Sequence, residues 1–398
     1  MAILSRVDFE LYASFGQHRK ELKMREVVVL GLGVTKFGRA EVLGKTAREL
    51  ICEAALMALD DAGVSIKDIE VGFTSRVMSG QGTGEFLLED IGMTGIIVDN
   101  VEKVCASSAT GVRHAYWAVG NGMYDMALVA GVERLSRGLA PVGDFDTYQQ
   151  LMGMGVPPVW YALEEQRYLH DYGATPEQVA QIAVIAHRNG ALNPRAHHQK
   201  PVTLEEVMNS RMICDPIRLL ECAPTSSGAA AAVICTKEKA RKYTSKPLVT
   251  IAACACGTPK YIAGGEALYA GEKMVADNAK KAYEMAGIGP EDIDVTQVHD
   301  AMAFGLIAHI EALGYCPKGE GARFVWEGKT EIAGEKPVNT DGGLNSRGHP
   351  LAATGIAAMA ELVWQLRGEA GPRQVANAKV ALQSQTGLGG NIVHIYKK

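Results

Sequence analysis

The sequence predicts an α/β fold built from two similar layered halves, and two observations carry that prediction. The first is an internal repeat. Residues 58–71 read ALDDAGVSIKDIEV, and residues 282–295 read AYEMAGIGPEDIDV. Ala62-Gly63-Val64 aligns with Ala286-Gly287-Ile288, and Asp68-Ile69-Glu70-Val71 with Asp292-Ile293-Asp294-Val295. Both blocks sit at one offset of 224 residues (286 minus 62, 292 minus 68), which marks duplication. The second observation is the order of elements within each copy. An alanine-rich amphipathic helix ends at glycine, a polar turn follows, and an apolar run with strand character comes next. Another strand-like segment precedes each helix, Val27–Gly33 in the first copy and Leu248–Ala253 in the second. Strands alternating with helices give layered α/β halves. The halves are expected to pack about a pseudo-twofold axis, with chemistry where they meet.

Bulk composition narrows the function. The 398 residues suffice for two domain-sized cores, and 47% hydrophobic with 21% charged residues is the balance of a folded soluble protein. A net charge of −5 and the absence of a basic block argue against nucleic acid as a partner. The longest apolar runs, such as Ala127–Val132, fall far short of the ~20 residues that span a bilayer. The eight cysteines show no C-x-x-C spacing, so reduced thiols in the cytoplasm are expected. Cys254 and Cys256 form a C-x-C at the end of the Leu248–Ala253 run, where packing at a strand end is favoured over metal binding. No metal is expected elsewhere either.

The chain divides into a leader at residues 1–23, a first half at 24–240 and a second half at 245–398. The leader holds Asp8, Glu10 and Glu21 and lacks the long apolar stretch of a secretory signal. Between the two copies, at about residues 136–212, the composition shifts. This stretch carries Met152, Met154, Pro157, Pro158, Trp160 and the pair His197-His198. It reads as a long excursion covering a substrate site, with one helix around Pro176–Asn189 started by Thr175 and Pro176. The paired histidines, beside Pro194, Arg195 and Lys200, are expected to be exposed loop residues.

Four segments carry the chemistry. The run GIIVDNVEKVCASSATGVRHAYWAVGNG begins as a strand and becomes a helix near Cys105, with small residues after the cysteine and Val112, Tyr116 and Val119 at helical spacing. Cys105 therefore falls on a strand-to-helix turn at the positive end of a helix dipole. Such a position, with a neighbouring histidine, is expected to lower the thiol pKa and enlarge its reactive fraction. The second segment, Gln297 to Phe304, brings His299 to the end of the second copy's strand. The third, Thr340 to Gly355, holds His349 among glycines just before a small-residue helix. The fourth, Gln383 to Asn391, is a glycine-rich turn before the last apolar run.

The ordered set VCASSATG, HDAMAF, GGLNSRGHPLAATG and QTGLGGN resembles the thiolase superfamily, from about Met24 to the end of the chain. The histidine in the second motif is similar to sterol-carrier-protein-type and archaeal-type thiolases. The resemblance implies a layered α-β-α-β-α thiolase fold with an inserted loop region. It also implies reversible transfer of an acyl group between a 3-oxoacyl-CoA and coenzyme A, with coenzyme A as co-substrate and no tightly bound cofactor. Cys105 would be the nucleophile and His349 the base. His299 and His349 would together donate hydrogen bonds to the thioester oxygen as an enolate forms, and the N–H groups of Cys105 and Gly387 would make a second oxyanion hole. The sequence departs from the pattern at one point. The two places where relatives carry a second catalytic cysteine hold Gln385 and Ala301, so Gln385 is assigned to substrate binding.

The resemblance also implies a homodimer or dimer of dimers, and a small zinc-ribbon and OB-fold companion. Some such pairs act on aromatic substrates such as benzoylsuccinyl-CoA. A decarboxylating ketosynthase shares the Cys-His-His set and the phrase GHPLAATG, but HDAMAF and the last glycine turn favour a thiolase. A non-catalytic scaffold with this fold is the third alternative, suggested by the missing second cysteine and opposed by three intact polar motifs.

Overall fold

Val27–Val34 is buried at every position and forms strand β1, as expected of a strand covered on both faces. Val28 and Leu30 serve one face of it, Val27 and Val29 the other. The computed structural model describes residues 24–92, 95–136, 138, 145–262 and 270–398; the leader at 1–23 lies outside them.

Helix α1 (Ala47–Ala62) opens with a Thr46/Glu49 capping box, a sequence signal that fixes its start. It leads to β2 (Val71–Ser75), α2 (Thr83–Ile91), β3 (Ile97–Val101), α3 (Ser107–Gly120) and β4 (Met126–Glu133). The excursion follows with α4 (Pro157–Tyr172), α5 (Pro176–Ala191) and a two-stranded ribbon of β5 (Met212–Cys214) and β6 (Ile217–Arg218). Then come β7 (Gly228–Thr236), β8 (Val249–Gly257), α6 (Ala270–Ala286), β9 (Val295–Val298) and α7 (Phe304–Ala312). The chain closes with α8 (Thr354–Arg367), β10 (Val380–Gly387) and β11 (Gly390–Lys397).

Nine strands hydrogen-bond in the order β3-β2-β4-β7-β1-β8-β11-β10-β9. The two half-sheets join edge to edge where β1 pairs antiparallel with β8, Val28 opposite Thr250 and Val29 opposite Val249. α3 and α8 pack between the halves, burying Val112, Val119, Ile356 and Leu362 with Val27, Val29 and Ala381 in one core. α1 covers the outer face of the first half through Leu50, Ile51 and Leu59. α6 and α7 cover the second through Val275, Ala279, Ile307 and Ile310. The layering is therefore helix, sheet, helix, sheet, helix.

Three expectations change. The excursion holds two long helices rather than one, because Pro157 and Pro158 occupy the first turn of α4, where no helical N–H bond is needed. Cys254 and Cys256 lie inside β8 rather than after it, paired to His394 and Ile392 of β11. His197 and His198 are half-buried rather than exposed. Their backbone N–H groups bond the carbonyls of Arg347 and Ser346 at 2.9 and 3.0 Å, which ties the excursion to the loop carrying His349. The His198 ring stacks with His187 and meets His197 at a tilt, and burial pushes both imidazoles down to about 4.

Candidate active site

The turn from β3 to α3 is built tightly. Val104 sits at φ 46°, in the left-handed region that a β-branched residue normally avoids. Surrounding bonds hold it there: the Lys103 N–H donates to the Ser107 hydroxyl (2.8 Å), which donates to the Val104 carbonyl (2.6 Å), and the Ala106 N–H donates to the Lys103 carbonyl (3.0 Å). Local strain overdetermined in this way is a common device for presenting a reacting group. Cys105 is the residue presented, partly exposed to a cavity of about 300 Å³.

β9 ends at Val298, and the next residue, His299, enters the same cavity. His349 reaches it from the loop before α8, and Gly387 from the end of β10. The Cys105 sulfur and one ring nitrogen of each histidine lie within 4.8 Å of one another. The same three side chains are close enough for a transition metal to bridge them. The two rings meet edge to face, 5.2 Å between centroids.

Hydrogen bonds behind the rings give the two histidines different proton states. The Thr354 hydroxyl donates to the Pro350 carbonyl at 2.9 Å, so at 2.8 Å it accepts from His349 Nδ1–H. His349 Nε2 therefore carries a lone pair, and it has no partner among the described residues. The Gln385 amide Nε2 donates to His299 Nδ1 at 2.5 Å and to the Cys105 carbonyl at 3.4 Å. His299 Nε2 then carries the proton. One ring can accept a proton and the other can donate a hydrogen bond.

Electrostatics keep this trio uncharged at rest. Burial pushes the Cys105 thiol up to about 12, with Glu133 and Glu102 acting the same way. Burial pushes His349 down to about 3, helped by Arg347, and holds His299 well below the ordinary histidine value, helped by His349, His309 and Arg347. The lowered thiol pKa expected from the helix terminus is thus not the resting condition, because desolvation outweighs the dipole. The thiol must lose its proton to a neighbour during reaction.

A buried polar network sets the loops. The Arg347 guanidinium pairs with Asp341 (2.5 Å) and reaches Gln297 (3.3 Å), whose amide returns to Asp341 (3.1 Å). Asp300 accepts from the Leu344 N–H at 2.8 Å, and the Asn345 amide donates to the Asp300 carbonyl at 2.9 Å. These bonds lock the segment after His299 to the segment before His349. At Gly387 a Cβ would lie 2.3 Å from the Lys103 carbonyl, so only glycine lets the last hairpin close on the Cys105 turn.

Of the five residues picked from sequence, Cys105, His299, His349 and Gly387 converge on the cavity. Gln385 does not line it. It is 1% exposed and its amide donates to the His299 ring. Sequence reasoning missed Tyr161 and Glu164 on α4 and His309 on α7, all of which line the cavity. Nothing in their local sequence marks them, because only tertiary packing brings the excursion over the site.

Comparison with known proteins agrees with this geometry. The family description "Thiolase, N-terminal domain" matches residues 27–238, and "Thiolase C-terminal domain-like" matches residues 266–397. The chain belongs to the thiolase family and is a thiolase-type acyltransferase. It is 39% identical over 388 residues to an acetyl-CoA acetyltransferase of Methanothermobacter thermautotrophicus, covering 94% of this chain and 100% of that protein. It is also 35% identical to sterol carrier protein 2 of Bos taurus, covering 92% of this chain and 71% of that one. Among solved structures it is similar to the Ltp2-ChsH2(DUF35) aldolase, with a TM-score of 0.82 and 26% identity, covering 94% and 98% of the two chains. No helix among the described residues is long and apolar enough to cross a membrane.

Proposed function

We propose that the protein catalyses the reversible thiolytic cleavage of a 3-oxoacyl-CoA through an acyl thioester on Cys105. The observation that carries this reading is the unpartnered Nε2 of His349 beside the Cys105 sulfur and the proton-bearing Nε2 of His299. In the cleaving direction, Cys105 attacks the 3-keto carbon and its proton passes to His349. The C2–C3 bond breaks, and its electron pair becomes the enolate of the shorter acyl-CoA, stabilised by hydrogen bonding from His299 and then from protonated His349. His349 returns the proton to C2. Coenzyme A then attacks the acyl-Cys105 carbonyl, its thiol proton passes to His349, and that proton goes to the departing Cys105 sulfur. The backbone N–H groups of Cys105 and Gly387 serve the tetrahedral intermediates, each such donor contributing about 3–4 kcal/mol. One histidine carries both protons, so no second cysteine is required.

The cavity wall of Trp160, Tyr161, Met274 and Met302 suits an acyl group of aromatic size. The paired name of the Ltp2-ChsH2(DUF35) aldolase supports a companion protein for this chain as well.

Incubating the protein with an acyl-CoA should add the acyl mass to the peptide containing Cys105. Cys105→Ser should lose turnover by about a thousandfold or more, since an alcohol is almost wholly un-ionised at neutral pH. Carbon–carbon cleavage with no acyl mass on Cys105 would instead favour aldolase chemistry.

A further inference from the structure

The wall of the catalytic cavity is mostly apolar, yet one face of α4 puts two polar side chains into it. Tyr161 and Glu164 both line the cavity, and at i and i+3 they lie on the same side of the helix. Both are half-buried, and neither makes a hydrogen bond or ion pair to any described residue. The Tyr161 ring packs where a Cβ on Gly305 would meet its Cε1 at 3.2 Å, so α7 fixes the ring in the wall. Burial pushes its phenol up, and Glu164, Cys105 and Asp300 act the same way.

Charge around Glu164 is arranged to one sign. Glu272, on α6, lines the same cavity. Lys318 is the cation nearby, and it is already engaged by Glu272 and by Glu311, the latter at 3.4 Å. Glu311 in turn accepts from Tyr168 at 2.6 Å and from the N–H groups of Gly319 and Gly321 at 3.1 and 2.8 Å. Burial pushes Glu164 up to about 8, with Glu272 raising it further and Lys318 opposing. At neutral pH the carboxyl is therefore largely protonated, and above pH 8 it becomes negatively charged.

We propose that Tyr161 and Glu164 are specificity-determining residues that select acyl groups carrying a hydrogen-bond donor, a hydroxyl or an amine, and reject acyl groups carrying a carboxylate. This inference rests on the reading of the cavity as the acyl-CoA site and names the substrate class that site takes. A donor on the acyl chain meets two polar groups that make no bond to any described residue, and a site that hydrogen-bonds a substrate group discriminates against the analogue lacking it. A carboxylate at the same place faces Glu272 and, as the pH rises past 8, an ionised Glu164 with no free cation among the described residues, so rejection comes from repulsion that grows with pH.

The test reads occupancy of the site, by binding or by acylation of Cys105, separately from complete turnover. Saturated acyl-CoA compounds of matched length, with an alkyl, hydroxyl or carboxylate end, are titrated against the alkylation of Cys105 by iodoacetamide, and the half-protecting concentrations are compared. The hydroxyl compound should protect the unaltered protein at about tenfold lower concentration than the carboxylate compound. Glu164→Gln, close in shape, should keep the preference for hydroxyl over alkyl. Glu164→Leu should lose about tenfold of that preference, and Tyr161→Phe a smaller part of it. Raising the pH from 7 to 9 should widen the discrimination against carboxylate in the unaltered protein and leave it unchanged in Glu164→Gln. Equal protection by all three compounds, or a selectivity that Glu164→Leu leaves intact, would overturn the proposal. Thiolysis of the corresponding 3-oxoacyl-CoA compounds is run alongside. Its absence, with selective protection intact, would count against the thiolase reaction and not against the selectivity.

Discussion

The two copies of the repeat fold alike in their backbone bonds and present different residues at their strand ends. After α1, Gly63 N–H donates to Asp60 and Val64 N–H to Leu59, at 3.0 and 3.1 Å; after α6, Gly287 and Ile288 donate to Glu284 and Tyr283, at 3.3 and 3.1 Å. Asp68 caps the Ser65 N–H at 2.8 Å, and Asp292 caps Gly289 at 2.9 Å. Glu70 accepts from Asp125 N–H at 2.7 Å, and Asp294 accepts from Lys379 and Val380 at 2.8 and 2.9 Å. Both following strands pair parallel with a neighbour, Val71 opposite Ala127 and Val295 opposite Ala381. Carried to the strand ends, the same offset sets Ser75 against His299 (299 minus 75 is 224). Ser75 is fully buried and its hydroxyl has no partner, whereas His299 faces the cavity with a defined proton. The scaffold is repeated, and the second copy's strand end, not the first's, supplies a histidine to the cavity that Cys105 of the first half enters.

The strongest way to break this comparison is to change the two strand ends in parallel. His299→Ala should lower turnover by about a hundred- to a thousandfold, the range for a lost oxyanion donor, whereas Ser75→Ala should change it by less than about twofold. His349→Ala should fall at least as far as His299→Ala, and it alone should slow the acylation of Cys105 by acyl-CoA under single-turnover conditions. Comparable losses at Ser75 and His299 would mean that both copies feed the site.

A smaller effect sharpens what supports the second copy's end. Gln385→Ala should cost about ten- to a hundredfold in turnover, roughly 1.4–2.7 kcal/mol for one oriented hydrogen bond. The ring it leaves behind is free to change tautomer, so the loss should appear in kcat more than in KM. Gln385→Glu, which can accept but not donate when ionised, should not restore it. Full activity in Gln385→Ala would show that packing alone orients His299.

The smallest expected effect concerns the resting charges. With the thiol pushed up to about 12 and His349 down to about 3, no thiolate–imidazolium pair is present near neutrality. The alkylation rate of Cys105 in the free protein should therefore climb about tenfold per pH unit from 6 to 9, following the thiolate fraction. A plateau between pH 5 and 8 would reveal a preformed ion pair and contradict the neutral trio.

Much of this was legible in the chain. The duplication, the layered α/β class and the segments bearing Cys105, His299, His349 and Gly387 follow from local patterns, because helix caps, strand periodicity and small-residue turns are written in neighbouring residues. The second helix of the excursion was not legible, since a proline pair reads as irregular until its place in a first turn is known. Nor was the position of Gln385, whose distance from His299 is set by the parallel pairing of β9 with β10 across 86 residues of chain. The proton states of the two histidines depend on Thr354, Pro350 and Gln385 meeting them in space. The resting pKa of Cys105 depends on how much water its neighbours exclude, which no spacing in the sequence encodes. Sequence determined which groups are present and on what elements; tertiary packing decided which atoms face one another, and desolvation then set their charge.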